Sequence, residues 1–196
     1  MALQNSPRHI SAEEYLQGEL LADIKHQLID GEAYAMAGAS ENHNLLAGNI
    51  FSELKNHLKG TPCRTFMADM KVRVAEDFFY PDVMVVCDQD NEDEYYKKSP
   101  IIIVEVLSKA TRKFDQTSKR IRCQTIPTLQ EYVLIEQDKG EIQVFSRSQN
   151  WQSFYYYLGD SITFYSLGIT ISVEDIYSQV NNEDVLAFIE QKTVLP

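Results

Sequence analysis

Between Pro100 and Ser108 the chain reads Ile-Ile-Ile-Val-Glu-Val-Leu. A short, mostly β-branched run with no polar face reads as a strand covered on both sides. Such a strand needs a layer of structure over each face, which confines the chain to an α/β architecture. Glu105 lies inside the run. An ionised carboxylate there is costly unless it is paired or holds a metal. A glutamate at the strand's end, salt-bridged or reaching solvent, accounts for it equally well, so the rest of the chain has to decide.

The chain has 196 residues, 44% hydrophobic and 11% aromatic, which suits one globular α/β domain over 1–196 with a sizeable core. The longest apolar stretch falls far short of the ~20 residues a membrane helix needs. Residues 1–16 lack the apolar centre of a signal peptide. Cys63, Cys87 and Cys123 are dispersed, with no zinc-type spacing. That pattern predicts three separate core residues in a reducing cytoplasm. The net charge of −11 bears on function. Phosphate contacts dominate affinity for nucleic acid, so DNA would have to be met by a local basic patch. Otherwise a metal offsets clustered acids, or DNA is not bound.

Ser11 and Glu14 form a capping box that opens a short helix. Asp30-Gly31 marks a hairpin. Ser40 caps a helix over 41–59, which Gly60 and Pro62 end. Strands are expected over 64–74, 79–87 and 100–107, with a solvated acidic loop over 88–98. A helix over 115–125 follows, closed by Pro127. A second hairpin turns at 138–140, short strands run to about residue 173, and the segment 173–191 reads as a helix. The aromatic run Phe154–Leu158, with Trp151, could stack on bases; the favoured expectation is a strand with one face in the core, or a dimer contact.

Pro81 cannot donate to a sheet ladder, so Asp82 is placed at a strand mouth. Glu105 follows in the next strand. Neighbouring strands bring the two carboxylates together, where they repel unless a divalent ion such as Mg²⁺ is shared. Asp115 and Lys119, four apart on a helix, share one face. The lysine can stabilise charge on a phosphate or position a water; an ordinary surface ion pair is the other reading.

Pro-Asp-Val at 81–83, Val-Glu-Val-Leu-Ser at 104–108, Asp115, Lys119 and the Glu-Tyr-Val-Leu-Ile-Glu run at 131–136 resemble the Uma-type family of restriction endonucleases, within the PD-(D/E)XK nuclease superfamily. The upstream stretches Leu28–Asn44 and Phe66–Val74 are similar as well, and the resemblance spans residues 10–180. It implies a restriction-endonuclease-like mixed central sheet flanked by helices, with an added C-terminal antiparallel strand region. It implies DNA hydrolysis with Mg²⁺ or Mn²⁺ held by Asp82, Glu105 and the backbone carbonyl of Val106. One departure stands out. The superfamily's lysine, two residues after the second acid, is replaced by Leu107. Lys119 is the candidate substitute, since lysine migration is known in the superfamily; Lys109, Arg112 and Lys113 are nearer in sequence but fall in a loop. Glu32 is a possible additional acid or a solvated hairpin residue. His43 is a phosphate or water contact, or an exposed helix-start residue. Leu107 and the acidic charge leave an alternative, a weak or inactive relative that binds nucleic acid or protein. Hydrolysis of another phosphodiester is a third. A homodimer is consistent with the aromatic run.

Overall fold

The computed structural model describes residues 9–87 and 93–194, so positions 1–8 and the acidic residues 88–92 of the expected loop lie outside the described residues. Ser11 caps α1 (Ala12–Glu19) through the reciprocal box with Glu14. Asp30 and Gly31, both at positive φ, turn β1 (His26–Ile29) into β2 (Glu32–Ala35), as a two-residue hairpin loop requires. Ser40 caps α2 (Glu41–His57) at the His43 amide.

The expected strand over 64–74 is two strands. β3 (Arg64–Met67) and β4 (Lys71–Val74) are separated by Ala68, which has φ 48° and donates its N–H to the Asp82 carbonyl. That break sends the halves to different sheets. Pro81 likewise splits the expected 79–87 strand between β5 (Asp77–Phe79) and β6 (Val83–Val86). β7 (Tyr96–Lys97) is a short buried strand, not solvated loop: Lys97 lays its stem in the interior and donates from Nζ to the Asp93 carbonyl. β8 (Pro100–Leu107) matches the expected strand.

The next helical segment starts earlier than expected and is composite. It comprises α3 (Arg112–Phe114), a π-helical turn (Asp115–Lys119) and α4 (Arg120–Cys123). β9 (Glu131–Glu136), β10 (Glu141–Ser146), β11 (Ser153–Tyr157), β12 (Ser161–Phe164) and β13 (Ile169–Ser172) follow. The terminal helix is interrupted, giving α5 (Val173–Ile176) and α6 (Glu183–Val194), with Gln179 at φ 64° between them.

The larger sheet runs β11-β10-β9-β8-β6-β3. It is mixed: β8 and β9 are parallel, the other neighbours antiparallel. A smaller sheet runs β2-β1-β5-β4-β7, and β12 pairs β13. One face of the larger sheet buries Val104, Val106 and Ile135 against Leu46, Ile50 and Leu54 of α2 and Ile176 of α5. The other buries Ile103, Leu107 and Leu134 against Val72, Phe79 and Cys123. Alternation places Glu105 on this second face, toward the 112–123 helical segment. The fold is therefore the expected restriction-endonuclease-like mixed sheet flanked by helices, with antiparallel strands added at its C-terminal side.

The expectation of three separate core cysteines is corrected. Cys63 and Cys87 form a disulfide. The β3–β6 register sets Arg64 opposite Val86, so one step further out these two cysteines stand opposite each other. Strand pairing, invisible in the linear spacing, joins them. Cys123 alone is a buried free thiol. Among the described residues no helix is long and apolar enough to cross a membrane.

Candidate active site

Pro81 ends the β6 ladder, and by register it stands opposite Val106 of β8. The Asp82 carboxylate takes over there: Oδ2 accepts the Val106 N–H at 2.7 Å. Its other oxygen, Oδ1, lies 2.9 Å from His43 Nε2, which α2 presents one turn inside its capped start.

Glu105 is 2% exposed. Lys119, as deeply buried, holds Nζ 2.8 Å from Glu105 Oε1. At that distance the ammonium engages Oε1 directly, a charge-assisted contact between two buried groups. The same Nζ lies 3.7 Å from Asp115 Oδ1 and donates to the Tyr80 carbonyl at 3.2 Å. Asp115 and Lys119 bound the π-helical turn, a rare distortion that is frequent at functional sites. The Asp115 carboxylate is also bonded to the Thr111 side chain, and Tyr132 Oη donates to the Asp115 backbone carbonyl at 3.2 Å.

The charges do not balance. Three carboxylates act on one buried lysine: Glu105 and Asp115 are buried with it, and Asp82 is partly exposed. Burial pushes the Glu105 carboxyl well above the usual carboxylate range; Lys119 opposes this, while Asp115 and Asp82 reinforce it. Asp115 is raised by burial too, again against Lys119. Burial pulls Lys119 down, but Glu105 and Asp115 outweigh it and hold its proton more tightly than usual. For His43 burial also acts downward, and the hydrogen bond to and charge of Asp82 raise it overall. Excess negative charge raises the proton affinity of acid and base alike.

The structure thus brings together Asp82, Glu105, Asp115, Lys119, His43 and the Val106 backbone. Glu32 stands apart, exposed on β2 and accepting the Tyr34 hydroxyl at 2.8 Å. Leu107 is buried in the apolar cluster, and Arg112 pairs with Glu136 and Asp138. Among the described residues no three His, Cys, Asp or Glu side chains form a ready-made cage. The donor chemistry nonetheless suits a hard divalent cation: three carboxylates around one lysine, beside a backbone strand end.

Three contributors carry no signal in the sequence. The Tyr80 carbonyl receives Lys119, and Thr111 braces Asp115. Gln137, just beyond β9, donates to the Leu107 carbonyl at 2.9 Å and accepts from the Ser40 hydroxyl, tying the end of β8 to the cap of α2. Ser40 reads in the sequence only as a cap.

Residues 12–174 match the Uma2 family, described as "Putative restriction endonuclease". The chain belongs to this family. Two proteins of Synechocystis sp. (strain ATCC 27184 / PCC 6803 / Kazusa) are similar over much of their length. Uncharacterized protein slr1290 is 32% identical over 173 residues, 86% of this chain and 91% of that protein. Uncharacterized protein sll1609 is 39% identical over 133 residues, 65% of this chain and 75% of that protein. The crystal structure of a putative nuclease belonging to DUF820 from Anabaena variabilis ATCC 29413 superposes with a TM-score of 0.74 at 17% identity, covering 88% of this chain and 99% of that one. At that identity the likeness establishes the shared fold.

Proposed function

We propose that this Uma2 family protein is a divalent-metal-dependent endonuclease that hydrolyses DNA phosphodiesters at the Asp82–Glu105 site. The observation that carries this reading is the surplus of acids: Asp82, Glu105 and Asp115 converge on one lysine, with His43 beside Asp82. The family's description and the fold shared with the Anabaena variabilis protein described as a "putative nuclease" support it.

Asp82, Glu105 and the backbone carbonyl of Val106 would hold Mg²⁺ or Mn²⁺, with Asp115 as an accessory acid. When bound, the ion supplies charge neutralisation at the phosphate and a more acidic water. The chain's own residues do the rest. Lys119 stands in for the lysine absent at position 107, offering its ammonium to a phosphate oxygen or to the attacking water. His43 keeps one oxygen of Asp82 engaged, and the Val106 N–H keeps the other, so the carboxylate is oriented before substrate arrives. Glu32, on the exposed hairpin, serves at most as an outer contact. DNA is the proposed partner through a local patch. A homodimer through β11 is supported by that edge strand, which carries no charged residue and exposes Phe154, Tyr155 and Tyr157.

The test is cleavage of supercoiled and linear DNA by the purified chain with Mg²⁺ or Mn²⁺ against EDTA, beside Asp82→Ala and Glu105→Ala. Metal-dependent cutting that both substitutions abolish is expected. A wild-type protein that never cuts DNA rejects the reading; if it still binds DNA, the site is a binding module. RNA and nucleotide substrates in parallel reveal a different phosphodiester specificity.

A further inference from the structure

We infer that the turn at 108–113 is the substrate cradle of this site, with Lys109 and Lys113 contacting phosphates that flank the scissile bond. The inference deepens the nuclease reading and rests on it for the identity of the ligand, a nucleic-acid strand.

A chain of net charge −11 repels a polyanion over most of its surface, so attraction has to be local. Six of the 18 lysines and arginines fall between residues 109 and 122, a stretch whose one acid is Asp115. Four of the six are committed. Arg112 pairs with Glu136 and Asp138, Lys119 with Glu105, and Arg122 with Asp30 and Asp77. Arg120 donates to the Gln116 carbonyl and lies over the Phe145 ring. Lys109 and Lys113 remain: both are exposed, and among the described residues neither makes an ion pair.

Their backbone is anchored to the site. The Ser108 and Thr111 hydroxyls lie 3.0 Å apart, and the Thr111 N–H donates to Ser108 Oγ. The Arg112 N–H donates to the Ser108 carbonyl at 2.9 Å. Thr111 is bonded in turn to the Asp115 carboxylate. Lys109 is four residues beyond Glu105, so their α-carbons are at most about 14 Å apart. That spans about four steps along a strand rising ~3.4 Å per nucleotide. Lys59 provides a control. It too is exposed and makes no ion pair among the described residues, but it lies two residues past the far end of α2, whose span from His43 to His57 is roughly 21 Å. A charge effect from Lys109 and Lys113 but not from Lys59 is therefore a property of position.

The experiment measures binding of fluorescein-labelled duplex and single-stranded oligonucleotides by anisotropy across a salt series, with Mg²⁺ present. The background is Asp82→Asn, so that no cleavage interferes. Lys109→Gln with Lys113→Gln is compared with Lys59→Gln. The double variant is expected to weaken binding on the order of tenfold at moderate salt, independently of sequence. The slope of log affinity against log salt shrinks by about 1.8 if the ligand is duplex and by about 1.4 if it is single-stranded. With Asp82 intact, the loss appears in KM rather than kcat. Lys59→Gln changes none of these. A double variant with wild-type affinity and slope overturns the cradle, even if cleavage itself is confirmed. Absence of any DNA binding overturns it as well. Lysine-dependent binding by a protein that never cuts DNA upholds the cradle and rejects the catalytic reading instead.

Discussion

Glu105 and Glu131 occupy adjacent parallel strands, at 2% and 3% exposure, and burial raises the carboxyl of each. Their surroundings differ in kind. Glu131 lies at the start of β9, opposite Ile102, and its oxygens accept the Ser166 N–H and hydroxyl. Those are neutral donors from the β12–β13 turn, and they satisfy the carboxylate locally. Glu105 lies toward the ends of the same two strands, opposite Leu134, beside a lysine shared with another acid. A buried carboxylate in an apolar strand is therefore no sign of chemistry by itself, since this scaffold contains one, at the first residue of β9, held in place by a serine. What marks the Glu105 region is unbalanced charge at the carboxyl ends of parallel strands, where open α/β sheets place their ligands.

This contrast is open to attack by substitution. The largest effect is expected from Glu105→Gln, which should bring metal-dependent DNA cleavage below detection, while Glu131→Gln leaves the single-turnover rate at the wild-type value. Equal loss in both variants would erase the distinction. Lys119→Met should lower the cleavage rate on the order of 10²- to 10³-fold, the cost of removing a group that stabilises developing charge. It should also destabilise the fold by roughly 3 kcal/mol, as breaking a buried pair does. Glu105 and Asp115, left without their cation, then hold protons more tightly in the folded state than in the unfolded chain. Stability is thus retained while they are protonated and lost as pH rises through their folded pKa values. The deficit in melting temperature should accordingly be larger at pH 8 than at pH 5.

His43→Gln should weaken Mn²⁺ binding by about 10- to 100-fold, read by calorimetry, because it frees an oriented ligand. Mn²⁺ affinity of the unaltered protein should fall as pH drops, starting above the usual carboxylate range. The raised carboxyls of Glu105 and Asp115 have to lose their protons to the ion. An affinity that stays flat until ordinary carboxylate pKa values would show that neither acid is a ligand. The smallest effect belongs to the other glutamate: Ser166→Ala should cost about 1–3 kcal/mol through the hydroxyl donor removed from Glu131 Oε2, the backbone N–H on Oε1 remaining, with cleavage untouched.

Much of this was legible along the chain. The apolar run of β8, the Asp30-Gly31 turn and the capped α2 each depend on local pattern, and each formed where that pattern predicts. The acids at 82 and 105 and the substitution at 107 could also be read. Other features could not. Ala68 and Gln179 adopt positive φ without a glycine to announce it, so one expected strand and one expected helix are broken. Cys63 and Cys87 meet through strand register, and Lys97 is buried despite a polar neighbourhood. Glu105 and Glu131 are both buried acids in apolar strands, and the charges that surround each are set by the fold.

The sequence by itself determined the alternation of strands and helices, the position of Asp82 at a broken ladder and the burial of Glu105, because these follow from steric preference and hydrophobic pattern over a few neighbouring residues. Tertiary structure alone decided which charges face which: Lys119 against Glu105, His43 and the Val106 amide on Asp82, Ser166 on Glu131. Electrostatic energy in a dry interior depends on distance through space, and only the folded chain sets those distances.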